Sequence, residues 1–204
     1  MLIIGHRGAP SLSRENTLKS FKIAFANNVD GVELDIQFTQ DQYLAVYHDF
    51  HTYALNHKYN IIKNLTFNEL QSIDPEFIIP TLEQILPIIP KNKQLHLEIK
   101  SNCVTNDKIV SKIIKLLEHH RMIKQTTISS FNPFVLFTVK RLKQTIKTGI
   151  LWTQCPKEPW FITHYSYYKI EPDSFHASIQ YINNKMALWI KNNNMKLFCY
   201  TVNK

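Results

Sequence analysis

The sequence predicts an α/β fold, a TIM-type (β/α) barrel, and three observations predict it. Short apolar strands alternate with amphipathic helices along the chain, the pattern of parallel strands joined by crossover helices. Several of these strands end in polar residues, as Gly5-His6, Glu98-Ile99-Lys100 and Ser129-Ser130-Phe131 do. A (β/α) barrel collects its working side chains at the C-terminal ends of its strands. No Gly-x-Gly-x-x-Gly turn follows the first strand, which counts against a doubly wound open sheet.

The elements follow in order. Leu2–Gly5 is a short buried strand. Thr17–Asn27 is a helix with Leu18, Phe21, Ala24 and Phe25 on one face. Val32–Phe38 is a strand, Asp41-Gln42 a turn, and Leu44–His48 an extended arm. Thr66 and Glu69 form a capping box that opens a short helix to Leu70. Thr81 and Gln84 open a second helix that carries Leu82, Ile85, Leu86 and Ile89 and is stopped by Pro90. Gln94–Lys100 is a strand, and the helix Asn106–His120 turns Ile109, Ile113, Leu116 and Leu117 inward. Thr126–Ser130 is a strand. Asn132-Pro133 is an N-cap with proline at the first helical position, for a helix to about Lys143. Thr148–Trp152 is a strand, residues 156–167 are aromatic-rich and fit no single pattern, and Tyr168–Ile170 is a short strand. Ala177–Ile190 is a helix on Ile179, Ile182, Met186 and Ile190, and Met195–Val202 is the last strand.

Composition narrows the class. The 204 residues suit a single domain, 1–204, with residues 39–80 as an insertion after the second strand. No segment approaches a membrane span, and Leu2-Ile3-Ile4-Gly5 gives no secretory signal, so a cytoplasmic location is expected. Cys103, Cys155 and Cys199 are isolated and read as buried or half-buried thiols in a reducing compartment. Residues 1–100 hold 9 Lys/Arg and 11 Asp/Glu, whereas residues 101–204 hold 15 and 5. The basic half reads as solvated helix faces, with Lys108, Lys112 and Lys115 on one polar side. No nucleic-acid module is recognisable. With no basic amphipathic helix, contact with a membrane is not expected either.

The chemistry-bearing residues crowd the first hundred positions. Residues i and i+2 of a strand share a face, so Glu33 and Asp35 point the same way, and so do Glu98 and Lys100. Carboxylates in otherwise apolar strands need a cation or basic partners, because a lone buried charge is costly. Carboxylate oxygens suit a hard divalent ion, and a histidine pair moves protons near neutral pH. His6 and His48 each sit at a strand end beside a second polar group, Arg7 and Asp49. Asp49 either orients His48 or caps the following turn. Asn16 or Thr17 caps the first helix, with a joint cap-and-site role expected for Asn16.

His6-Arg7-Gly8, Glu15-Asn16-Thr17, Glu33-x-Asp35, His48-Asp49 and Glu98-x-Lys100, in this order, resemble the glycerophosphodiester phosphodiesterase family, a (β/α)-barrel group. Pro80-Thr81-Leu82-Glu83, Ser129-Ser130-Phe131 and Tyr200-Thr201-Val202-Asn203 extend the resemblance over nearly the whole chain. It implies Glu33, Asp35 and Glu98 as ligands of one divalent cation, Mg2+ or Ca2+. It implies His6 and His48 as the acid–base pair, Arg7 and Lys100 on the phosphate, and Glu15 and Asn16 lining the site. The implied reaction is hydrolysis of a small-molecule glycerophosphodiester to glycerol 3-phosphate and an alcohol. The chain departs from the pattern at Phe50-His51-Thr52-Tyr53, where the family usually has a leucine and an arginine-containing stretch. Tyr200 stands where tryptophan is frequent.

The family barrel runs on past the Thr-Val-Asn strand for a last strand–helix unit. Seven barrel strands are expected here, with Leu44–His48 as a hairpin arm, and the C-terminus is expected to be truncated. Open barrel edges expose unpaired strand groups, so self-association through that edge is expected.

Overall fold

The computed structural model describes residues 1–153 and 170–202. Seven parallel strands form a nearly closed barrel with helices packed around it. They are β1 (Ile4–His6), β2 (Gly31–Phe38), β4 (Gln94–Ile99), β5 (Thr126–Ser130), β6 (Lys147–Trp152), β7 (Ser174–Ser178) and β8 (Lys196–Tyr200), paired in that order. β3 (Leu44–Val46) pairs antiparallel with β2 and lies off the barrel path. Among the described residues β1 and β8 do not pair with each other, so the two ends of the sheet remain its edges.

The outer faces of β2, β4 and β5 are apolar and meet α1 (Leu18–Ala26), α5 (Asp107–His119) and α6 (Pro133–Leu142) in one core. Phe21, Leu34, Leu97, Ile113 and Val139 are completely shielded from solvent. Thr17 caps α1 by accepting from Ser20 N, and Asn132 caps α6 by accepting from Phe134 N with Pro133 next to it. The Thr66–Glu69 capping box opens α3 (Phe67–Ser72). The helix expected to Ile89 is shorter. α4 covers only Leu82–Ile85 and passes into a 3-10 turn over Leu86–Ile88, where Pro87 has no N–H to continue the α ladder. Residues 39–80 hold β3, α2 (Tyr53–Asn56) and α3 around a small core of Ala45, Tyr47, Ile62, Leu70, Phe77 and Ile79.

The C-terminal third corrects the sequence expectation. The strand expected over Tyr168–Ile170 lies, apart from Ile170, outside the described residues. The sixth barrel strand is β7, and the helix expected to begin at Ala177 begins at Asn184, as α7 (Asn184–Asn192). Phe175 and Ala177 alternate with Ser174, His176 and Ser178, so period 2 governs up to Ser178. Asn183 then accepts from Met186 N and starts the helix. Phe175 and Ala177 pack outward on Leu136, Trp152, Met186 and Ile190. Cys103 and Cys199 are exposed rather than buried, and Cys155 lies outside the described residues. No helix among the described residues is long and apolar enough to cross a membrane.

Two histidines, His96 of β4 and His176 of β7, meet among the barrel strands. His96 and His176 are buried, their rings 5.7 Å apart and both against Phe198. His96 Nε2 meets Gln94 Oε1 at 3.2 Å, and His176 Nε2 meets Ser174 Oγ at 2.9 Å. Burial pulls both rings down, His96 to about 4 and His176 to about 3. Folded, both stay neutral to well below pH 6, while an unfolded histidine protonates near 6.5. The unfolded chain therefore binds more protons in that window, and stability present above about pH 6.5 is lost as the pH falls through it. Each histidine contributes about 1.4 kcal/mol per pH unit. A His176→Gln protein is accordingly expected to show a flatter fall of unfolding free energy between pH 6 and 4.5, by about 1.4 kcal/mol per unit. Urea unfolding at successive pH values measures that slope, and an unchanged slope would contradict the neutral buried ring.

Candidate active site

Parallel register builds the centre of the barrel mouth. His6 of β1 lies opposite Glu33 of β2, and Asp35 of β2 lies opposite Glu98 of β4. Glu33, Asp35 and Glu98 all point inward, and one oxygen from each falls within 4.8 Å of the others. Asp35 is 1 % exposed and Glu98 8 %. Burial, then Asp35, then Glu98 hold the Glu33 carboxyl well above the usual range. Burial and Asp35 raise Glu98 too, with Lys100 acting against them.

Basic and amide groups answer part of this charge. Lys100 Nζ lies 3.0 Å from Glu98 Oε1 and 3.7 Å from Asp35 Oδ1. Arg7 reaches in from the other side, with its Nε 3.4 Å from Asp35 Oδ2 and its Nη1 donating to Glu15 Oε1 at 2.8 Å. Burial works against the Arg7 charge, but Asp35 and then Glu15 outweigh it and raise the guanidinium. The Arg7 backbone N–H donates to Glu33 Oε2 at 3.1 Å. Asn16 Nδ2 donates to Asp35 Oδ2 at 2.9 Å. Thr17 caps α1, and both ends of the Asn16 amide go to Asp35, its carboxylate and its backbone N–H, so the joint capping role expected for Asn16 is not found. One carboxylate oxygen stays unanswered: Asp35 Oδ1, buried, accepts no hydrogen bond. Three converging carboxylates with one orphan oxygen among them fit a hard divalent cation.

The loop after β1 takes the shape these contacts require. Arg7 and Asn16 have left-handed φ values of 57° and 54°, and Gly8 has 93°. A Cβ on Gly8 would strike Ser20, whose hydroxyl donates to Arg7 O and accepts from Ala9 N. Arg14 ties the same loop to residues 39–80 by pairing with Asp74 at 2.9 Å and lying over the Phe77 ring at 3.6 Å.

The two histidines border the carboxylates. His6 Nε2 lies 3.8 Å from Glu33 Oε2, and burial, then Arg7, lower its ring. His48 follows β3, and its Nδ1 lies 2.7 Å from Asp49 Oδ1. Asp49 therefore orients His48 rather than capping the next turn. With Nδ1 committed to a carboxylate, Nε2 is the nitrogen left for chemistry. A groove of about 920 Å3 runs outward past Lys100, bordered by Phe50, Tyr59 and Ile61. The structure thus gathers His6, Arg7, Glu15, Asn16, Glu33, Asp35, His48, Glu98 and Lys100 at one end of the barrel. The sequence reading passed over Gln37, the next inward residue of β2, whose amide bonds the backbone around His48. Its signal was the period-2 row Glu33, Asp35, Gln37.

Comparison with known proteins finds relatives in sequence and in fold. The profile of the Glycerophosphoryl diester phosphodiesterase family matches residues 6–204. A glycerophosphodiester phosphodiesterase of Caldanaerobacter subterraneus is 32 % identical over 213 residues, spanning 100 % of this chain and 86 % of its own. A solved phosphodiesterase of Oleispira antarctica, in complex with its product sn-glycerol-3-phosphate, superposes with a TM-score of 0.85 at 23 % identity, covering 100 % of this chain and 85 % of that one. The glycerophosphodiester phosphodiesterase of Thermotoga maritima gives 0.80 at 24 % identity, covering 100 % and 87 %.

The carboxylate cluster leads to a direct test by ligand linkage. A cation that binds only the folded chain stabilises it by about 2.7 kcal/mol at a hundredfold excess over its Kd. Thermal unfolding in Mg2+ or Ca2+ is expected at a higher Tm than in EDTA, and Glu33→Gln should abolish the difference. A Tm indifferent to both ions would count against the site.

Proposed function

The chain belongs to the glycerophosphoryl diester phosphodiesterase family, and from that membership we propose that it hydrolyses small glycerophosphodiesters to glycerol 3-phosphate and an alcohol. The observation that carries this is the convergence of Glu33, Asp35 and Glu98 with two histidines and two basic side chains at one barrel mouth. Glu33, Asp35 and Glu98 would hold one divalent cation. When bound, such an ion supplies positive charge that stabilises the phosphoryl oxygens.

The chain's own groups divide the rest of the work. Arg7 and Lys100 already neutralise Asp35 and Glu98, and they face the same space a phosphate would enter. Glu15 holds the Arg7 fork, and Asn16 holds Asp35. A free hydroxyl of the glycerol attacks phosphorus. One histidine takes that hydroxyl's proton as the new O–P bond forms. The other protonates the departing alcohol oxygen as its bond to phosphorus breaks. Water then opens the cyclic phosphate with the two histidines in reversed roles. Burial and then Arg7 lower the His6 ring, which favours the neutral form that accepts a proton. His48, with Nδ1 held by Asp49, presents Nε2.

Release of glycerol 3-phosphate from glycerophosphocholine tests the proposal, measured in EDTA, Mg2+ and Ca2+. Cation-dependent release is expected, and none from a Glu33→Ala/Asp35→Ala protein. His6→Ala and His48→Ala should each lower kcat by about 10²–10⁴. No release with any cation, from protein shown to be folded, would overturn it.

A further inference from the structure

Gln37 follows Glu33 and Asp35 on the inward face of β2 and is 4 % exposed. Its Nε2 donates to two backbone carbonyls, Tyr47 O and Asp49 O, each at 2.8 Å. Both partners only accept, so the amide can sit only with its NH2 end toward them. These two carbonyls flank His48. Asp49 in turn holds His48 Nδ1 at 2.7 Å, and Tyr47 N donates to Asp35 O at 3.1 Å.

We propose that Gln37 is a positioning residue for His48, acting through the backbone of Tyr47 and Asp49 to fix the imidazole relative to the carboxylates. The proposal rests on the reading above that His48 transfers a proton. One strand then sets both parts of the site. Its Glu33 and Asp35 place the acidic cluster, and its Gln37 places the histidine's segment. Satisfying two carbonyls could be met by any donor, or by two. A single NH2 that draws together carbonyls two residues apart restrains the dihedrals between them, which are those that aim His48. A displacement of about 1 Å of a catalytic group can cost about 10²-fold in rate.

The experiment compares the full-length wild type with Gln37→Met, which keeps the length and removes both donors, and Gln37→Asn, which is one methylene shorter. Three quantities are measured: kcat and KM on glycerophosphocholine, the cation-induced rise in Tm, and the ring signals of His48 in 1H–13C spectra, assigned with a His48→Gln protein. Gln37→Met is expected to lose ten- to hundredfold in kcat, with KM and the cation response within twofold of wild type. Its His48 ring signals should shift and broaden while those of His96 and His176 stay in place. A kcat within twofold of wild type, or unmoved His48 signals, overturns the proposal. Should Gln37→Met not fold, Gln37→Asn takes its place under the same criteria. Should the wild type release no glycerol 3-phosphate, the proposed reaction fails, and the His48 signals alone decide: unmoved, they overturn the positioning role, and moved, they sustain it.

Discussion

Crowding of Glu33, Asp35 and Glu98 at one barrel end is the constraint on which the rest of the mouth depends. Register puts Asp35 beside Glu98, and the strand period puts Glu33 two residues below Asp35 on the same face. Burial and mutual repulsion push Glu33 and Glu98 upward, so the cluster resists full ionisation. Neutralising it takes positive charge from several directions. Lys100 supplies it along β4 and Arg7 from the loop after β1. Neither donates a hydrogen bond to Asp35 Oδ1, from which Lys100 Nζ stays 3.7 Å away.

The shape of the loop after β1 follows from the same demand. Arg7 and Asn16 both turn inward onto Asp35, and both sit in the left-handed region to do so. Such conformations cost about 1–3 kcal/mol each outside glycine. Ser20 offsets part of that by bonding Arg7 O and Ala9 N, and Asn16 N closes the loop on Arg7 O at 3.0 Å. Gly8 has no alternative at this point, since its φ is positive and its missing side chain leaves room for Ser20. Local strain is thus tolerated where it delivers a guanidinium and an amide to a buried carboxylate.

Much of this was legible in the sequence where one periodicity ruled. The inward row of β2 and the pair Glu98–Lys100 could be read from period 2 alone, and the core-facing stripes of α1 and α5 from the 3.6-residue helical period. Thr66, Thr81 and Asn132 announced their helices through side-chain chemistry that acts within three residues. What failed to show was set by more distant partners. Ser174–Ser178 was read partly as helix because Ile179, Ile182, Met186 and Ile190 fit a 3.6-residue stripe, whereas β6 and β8 on either side impose extension up to Ser178. Pro87 was overlooked inside an otherwise apolar helical run. Register was also invisible. Nothing local in Asp35 or Glu98 says that they face each other, although the carboxylate crowding comes from that pairing.

Barrel register does not by itself explain the height of His48, because a βα loop leaving the mouth would carry it outward. The hairpin after β2 changes this. The chain turns back at Asp41-Gln42, where Gln42 takes a φ of 63°, and β3 retraces β2 from Phe38 opposite Leu44 to Ile36 opposite Val46. One step further, Tyr47 N meets Asp35 O, and His48 follows at the level of the carboxylates. A one-residue slip of β3 would exchange its two faces. It would take Tyr47 out of the cluster with Ala45, Ile62, Leu70, Phe77 and Ile79, and it would break the register with β2. The small core of residues 39–80 therefore does more than stabilise an appendage. By holding the hairpin in one register it sets the distance between the acidic cluster on β2 and the histidine on the arm that follows β3.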